Sequence, residues 1–226
     1  MDWFNQAIEI FLHLDKHLEK YAEILGWWIY PILFAIIFCE TGLVVTPILP
    51  GDSLLFAAGA LAGNPRFNFE IGLFLGLLML AAITGDALNY SVGNYVGPKV
   101  FKFESSRFFN KKHLMKTHEF YEKYGGKTII IARFIPIIRT FAPFVAGIAR
   151  MGYSRFALYN VTGGILWIAL FLLGGYFFGR MQFVQDNFSV IVLAIIIISV
   201  MPMVIELFLA WRRQAVTEPV PAEKTN

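Results

Sequence analysis

Cysteine occurs once in the 226 residues, at Cys39, so no internal disulfide can staple the fold. Charge is sparse: 15% of residues are Asp, Glu, Lys or Arg, against 57% hydrophobic and a mean hydropathy of +0.61. A soluble domain of this length needs more polar surface than that, so the composition fits a chain that crosses a membrane several times. Histidine is missing from every apolar run; His13, His17, His113 and His118 all fall in polar stretches. That excludes histidine-assisted serine or phosphatase chemistry at membrane depth. His113 and His118 stand five apart without neighbouring cysteines, so no metal and no cofactor is expected. The net charge of +3 comes from one basic block and bears on orientation, not on a nucleic-acid partner. Residues 1–23 carry five acids and two lysines in place of the basic region of a secretory leader. Insertion is then expected to rely on the first membrane segment itself.

What is present is organised around Glu40 to Phe56, between the apolar runs Ile24–Cys39 and Leu54–Ala62. This stretch holds two carboxylates, Glu40 and Asp52, and Pro47, Pro50 and Gly51 break any helix between them. Charge at membrane depth is costly, which makes each acid a functional candidate. Irregular backbone at that depth is tolerated only where protein or a water-filled cavity surrounds it. The stretch is therefore predicted to be a re-entrant hairpin that holds two acids in a cavity.

Residues 1–23 are predicted to form an amphipathic interfacial helix, because Phe4, Ile8, Phe11, Leu14, Leu18 and Tyr21 recur at three- and four-residue steps. Packing of that helix on its own protein is the other reading. Ile24–Cys39 is short for a span, so its helix is expected to start inside the preceding segment. Ile71–Gly97 is long and apolar, with Asp86, Asn89 and Tyr90 on one face and Gly93 and Gly97 spaced for close helix contact. Eight basic residues then crowd into 99–127. Thr128–Ala149 is apolar again but carries Arg133, Pro136, Arg139 and Pro143. Phe156–Gly179, ending in Gly175 and Gly179, and Phe188–Trp211 complete the spans, and residues 212–226 read as a disordered cytoplasmic tail. The membrane domain is thus 24–211.

Charge sets the expected topology. If 41–63 and 128–149 dip in and return to their own sides, both termini and the basic block face the cytoplasm. Fifteen of the nineteen Lys and Arg are then inside, with Arg66 and Arg180 outside and Arg133 and Arg139 within the membrane. A weak repeat agrees: Pro47-Ile-Leu…Ala58-Gly59 matches Pro136-Ile-Ile…Ala146-Gly147, each followed by a helix ending in Gly-x-x-x-Gly. The fold class is an all-α integral membrane protein with about four transmembrane helices and two opposed re-entrant hairpins in an inverted repeat. Such interrupted repeats point to a transport site at their interface.

Glu40 and Asp52 come from one copy, Arg133 and Arg139 from the other. Where the hairpin tips meet, two acids would face two guanidiniums. The arginine fork matches phosphate or carboxylate, and a carboxyl in a low-dielectric cavity is a candidate proton carrier. Glu40, Asp52 and Asp86 are the proton-coupling candidates; Asp52 follows Gly51 at a break, where free backbone N–H groups are expected to stabilise its charged form. A purely structural ion-pair cluster pinning the hairpins is the competing reading. An aspartyl dyad of Asp52 and Asp86 fits poorly with the nearby arginines. Gly125-Gly126-Lys127-Thr128 ends like a phosphate-binding loop, but Tyr121 stands where that motif needs glycine and no strand precedes it.

Glu40…Pro50-Gly51-Asp52-Ser53, together with Ala132-Arg133-Phe134-Ile135-Pro136-Ile137-Ile138-Arg139-Thr140…Ala146-Gly147, resembles the signature of the DedA family of bacterial inner-membrane proteins. The resemblance covers roughly residues 20–212 and extends to the VTT-domain lipid scramblases of eukaryotes. It implies envelope maintenance and lipid transport or flipping, with undecaprenyl phosphate as substrate for some members and proton motive force as driver. It places the family's functional positions on Glu40, Asp52, Arg133 and Arg139. Pro47, Pro50, Gly51, Pro136, Pro143 and Gly147 are expected to shape the hairpins. The expected function is a non-enzymatic flippase that binds polyprenyl phosphate or a phospholipid and exchanges protons. A small-ion/proton antiporter and a non-transporting assembly factor are the alternatives, and a homo-oligomer is left open.

Overall fold

In the computed structural model the described residues are 14–43, 51–100, 127–188, 190–195, 197, 198 and 201. Pro47, Pro50, most of the basic block, most of the last predicted span and the tail lie outside them, as does most of the predicted interfacial helix. Helix α1 runs Leu14–Leu25, followed by a single 3₁₀ turn, Gly26–Trp28, and α2, Ile29–Gly42. Then come α3 Gly51–Gly63, α4 Ile71–Val100, α5 Lys127–Ala132, α6 Pro136–Ile148, α7 Tyr153–Phe178 and α8 Gln182–Asp186. No strand occurs among the described residues.

Among the described residues, three segments are long and apolar enough to cross a membrane: Lys20–Gly42, Ile71–Gly97 and Tyr153–Phe178. The first starts inside α1, so the helical path crosses the expected boundary at residue 23. Gly26 (φ 48°) makes this bend, a backbone conformation that glycine adopts without a steric penalty. The fourth expected span contributes helical residues at 188, 190–195, 197, 198 and 201. The short apolar helices α3 and α6 have 13 residues each. At 1.5 Å per residue, each rises about 20 Å, well short of a hydrocarbon core about 30 Å thick.

The long helices are apolar outside and carry their polar and small residues inside, among buried apolar side chains. On α7 the exposed face carries Leu158, Ile165, Leu166, Leu170, Phe177 and Phe178. Its buried face runs Phe156, Asn160, Gly163, Gly164, Trp167, Leu172 and Gly175, a helical stripe. A soluble helix would be the reverse, so this distribution suits a lipid exterior. Around Trp167, Phe74, Ile37, Leu33 and Leu78 the interior is close-packed.

Each short helix packs along the long helix of the other repeat copy: α3 on α7, and α6 on α4. Glycines permit both crossings. A Cβ on Gly59 would overlap the carbonyl oxygen of Leu172, and one on Gly175 that of Phe56. On the other side, a Cβ on Gly147 would overlap the Tyr90 carbonyl, and one on Gly93 that of Phe144. Gly59 and Gly147 are the matching glycines of the two copies. A third close crossing sets α2 against α4, where Gly85 has no room for a side chain beside Thr41 and Phe38.

The break between α5 and α6 follows from Pro136. A proline at the start of a helix pushes the residue before it into extended backbone, and Ile135 sits there at φ −118°, ψ 110°. Arg133 therefore lies on a turn, and Arg139 within the helix that follows. Pro143 is buried inside α6.

Candidate functional site

The short helices bring their charged ends together at the centre of the molecule. Glu40 (0% exposed), Asp52 (6%), Asp86 (3%), Arg133 (2%) and Arg139 (5%) are all buried. Arg139 donates from Nη1 to Asp52 Oδ1 at 2.8 Å and from Nη2 to Glu40 Oε1. One guanidinium thus bridges both acids of the other repeat copy. Its Cζ lies over the Trp167 ring, 4.9 Å from the centroid. The indole Nε1–H of Trp167 donates to the same Asp52 oxygen at 2.8 Å.

Arg133 is placed differently. Its Nη2 donates to Asp86 Oδ2 and to Asn160 Oδ1. Asn160 in turn donates from Nδ2 to the Ile83 carbonyl at 3.0 Å, tying α7 to α4. The sequence pattern of two acids facing two arginines is corrected here. Arg139 takes both Glu40 and Asp52, and Arg133 pairs with Asp86 on α4. The α2–α4 crossing at Gly42 and Gly85 explains this, because it carries Asp86 into the interior beside the α5–α6 turn.

At the same break, the Gly51 N–H donates to Glu40 Oε1 at 3.2 Å. An acid at the start of a helix meets unpaired N–H groups and the positive end of the helix dipole. Glu40 reaches that position from the last turn of α2.

Asn89 registers the two sides of the cluster. Its Nδ2 donates to the Thr41 carbonyl at 3.1 Å and the Thr140 carbonyl at 2.7 Å. Those carbonyls belong to the residues directly after Glu40 and Arg139. One amide on α4 thereby sets the spacing of the ion pair. At the far end of α3, Arg180 Nε donates to the Gly63 carbonyl at 2.9 Å, a cation at a helix C-terminus.

Among the sequence-derived structural residues, Gly51 abuts the Glu40 carboxylate, Gly147 makes the α4 crossing and Pro136 starts α6. Trp167 and Asn160 were not singled out from sequence. Their seven-residue spacing, with Gly163 and Gly164 between, forms one small and polar face in an apolar span, and that face was the available signal. No group of three or more potential metal-ligating side chains occurs among the described residues.

Helices with apolar exteriors around a core of ten buried polar side chains among the described residues define an α-helical membrane protein with an internal ion-pair cluster. Residues 49–177 match the VTT domain, and the chain belongs to the DedA family. It is 53% identical over 207 residues to the protein DedA of Escherichia coli K12, covering 92% of this chain and 94% of that one. A membrane protein of Mycobacterium tuberculosis is 41% identical over 201 residues, 88% of each chain. The inner membrane protein YqjA of Escherichia coli K12 is 27% identical over 218 residues, 95% of this chain and 98% of that one. No solved structure matches it.

Proposed function

We propose that this protein moves a phosphate-bearing lipid, a polyprenyl phosphate or an anionic phospholipid, between the leaflets of the bacterial inner membrane, coupled to protons. The observation that carries the reading is the Arg139 bridge. A guanidinium suited to phosphate is held by two carboxylates where the repeat copies meet, and the surrounding helices are apolar outside. A lipid can leave its tail in the bilayer while only its head group passes such a cluster.

Charge balance supplies the coupling. Glu40, Asp52 and Asp86 set three negative charges against the two positive charges of Arg133 and Arg139. Adding a phosphate to that excess is prohibitive in a buried site unless a carboxylate is neutralised. A proton taken up by Glu40 weakens its hold on Arg139 and lets phosphate take its place; loss of the proton returns Arg139 to Glu40 and releases the head group. Glu40 is the better carrier than Asp52, because its Oε2 has no hydrogen-bond partner among the described residues.

The test is leaflet exchange of a labelled phosphate lipid in liposomes, with and without a pH gradient, for the wild type and Glu40→Gln. The wild type is expected to accelerate exchange and respond to the gradient. Glu40→Gln is expected to insert normally and to lose the response. Ion flux without lipid movement would point to an antiporter, and neither activity would point to an assembly factor.

A further inference from the structure

The two arginines differ in what remains unused. On Arg139, both Nη atoms meet acids and only Nε has no hydrogen-bond partner among the described residues. On Arg133, Nη2 carries all three contacts, to Asp86 Oδ2, Asn160 Oδ1 and, at 3.4 Å, the Asn160 carbonyl, while Nε and Nη1 have no hydrogen-bond partner among the described residues. Arg133 is 2% exposed, so water does not reach those donors in this conformation. Buried N–H groups of a charged side chain are rarely left unmet, and each such case calls for an explanation.

Both donors face the same place. A Cβ on Gly163 would lie 3.4 Å from Arg133 Nε, and one on Gly164 would lie 3.5 Å from Nη1. These two consecutive glycines of α7 leave a strip over the guanidinium that side chains would otherwise fill. Helix packing does not demand them. At Gly163 the added Cβ would meet the Ile130 Cα at 3.4 Å, and at Gly164 it would meet Cγ1 of the Ile83 side chain at 3.1 Å, a close contact with a side chain that can shift, not with backbone. At Gly59, Gly93, Gly147 and Gly175 the same atom would overlap a neighbouring backbone carbonyl. Glycine in a helix interior is unfavourable relative to alanine. A pair that packing does not require, set against two unmet cationic donors, has the form of a ligand seat, since glycine lets a ligand approach the backbone closely.

We propose that the Gly163–Gly164 step of α7 seats the phosphate oxygens of the transported lipid, with Arg133 Nε and Nη1 as donors. Asp86 and Asn160 are positioning residues: by holding Nη2 they turn the other donors toward the strip. The head group enters when α7 and the α5–α6 corner part, and its tail lies against the apolar exterior. The two arginines then share the anion: Arg133 holds it against the glycine strip, and Arg139 meets it when Glu40 takes up a proton. This assignment rests on the phosphate-lipid reading above.

The test is equilibrium binding of purified full-length protein to polyprenyl phosphate, to the same polyprenol without phosphate and to inorganic phosphate. The variants are Gly163→Ala and Gly164→Ala, with Gly76→Ala as control because a Cβ there meets nothing within 4 Å. Both seat variants are expected to melt like the wild type and to bind the phosphate lipid roughly tenfold or more weakly, the loss expected for a blocked charge-assisted hydrogen bond. The control is expected to bind like the wild type. Unchanged affinity in both seat variants would overturn the seat while leaving the transport reading intact. Unfolding of both would overturn it as well, because the glycines would then serve packing. Equal wild-type affinity for inorganic phosphate would make this a soluble-anion site and overturn the lipid assignment. Equal wild-type affinity for the phosphate-free alcohol would defeat the transport reading itself.

Discussion

Arg139→Gln is expected to cost about 3–5 kcal/mol of stability, the usual penalty for removing one partner of a buried ion pair. The variant leaves Glu40 and Asp52 buried without the cation that bridges them. It should accumulate poorly and melt early in detergent. The triple variant Arg139→Gln, Glu40→Gln, Asp52→Asn removes all three charges together and should recover most of the lost stability, because neutral amides need no counter-charge. Its lipid exchange should stay absent. A structural pin predicts recovery of the whole protein, whereas a transport cluster predicts recovery of the fold alone. Arg139→Lys separates charge from geometry. One ammonium is a point charge and cannot reproduce the planar fork that spans Glu40 and Asp52. It should keep most of the fold and lose most of the exchange. Full activity at normal expression would reduce Arg139 to a generic positive charge.

The second large effect is expected at the glycine crossings. A methyl group on Gly175 or Gly147 strikes a backbone carbonyl of the facing helix, which no rotamer change can relieve. Overpacking of this kind costs about 1–3 kcal/mol or more, since the helices themselves must separate. Because α3 and α6 each lean on one such crossing, Gly175→Ala should loosen Asp52, and Gly147→Ala should loosen Arg139. Gly72→Ala and Gly76→Ala meet nothing within 4 Å. Those two should be neutral or stabilising by about 0.5–1 kcal/mol, from the helix propensity of alanine over glycine. Thermal melts of the four variants check this contrast. Equal melting temperatures across the set would remove the crossings from the account of the fold.

Charged residues in apolar runs were easy to read from the chain, because burying them is so costly that they must serve something. Glu40, Asp52, Asp86, Arg133 and Arg139 all announce themselves in this way. Their pairing does not. Which acid meets which arginine is decided by the α2–α4 crossing at Gly85, and a crossing leaves only small residues in the sequence, without naming its partner. Gly93 and Gly97 were legible as a contact surface, yet the helix that fills it is α6 of the other copy. Trp167 and Asn160 stayed hidden for a different reason. Neutral side chains with a polar tip are ordinary in membrane helices, and nothing local shows that the indole N–H reaches Asp52. The first span was expected to begin before Ile24, and Lys20–Gly42 bears that out.

The central claim is that buried guanidiniums select a lipid by its phosphate. The most direct measurement is leaflet exchange of two labelled polyprenyl lipids with identical tails, one phosphorylated and one a free alcohol, in liposomes containing the purified wild-type protein. The account predicts that the protein accelerates exchange of the phosphate lipid and leaves the alcohol at the rate of protein-free liposomes. Equal acceleration of both lipids would contradict it, because the arginines would then have no part in choosing what crosses.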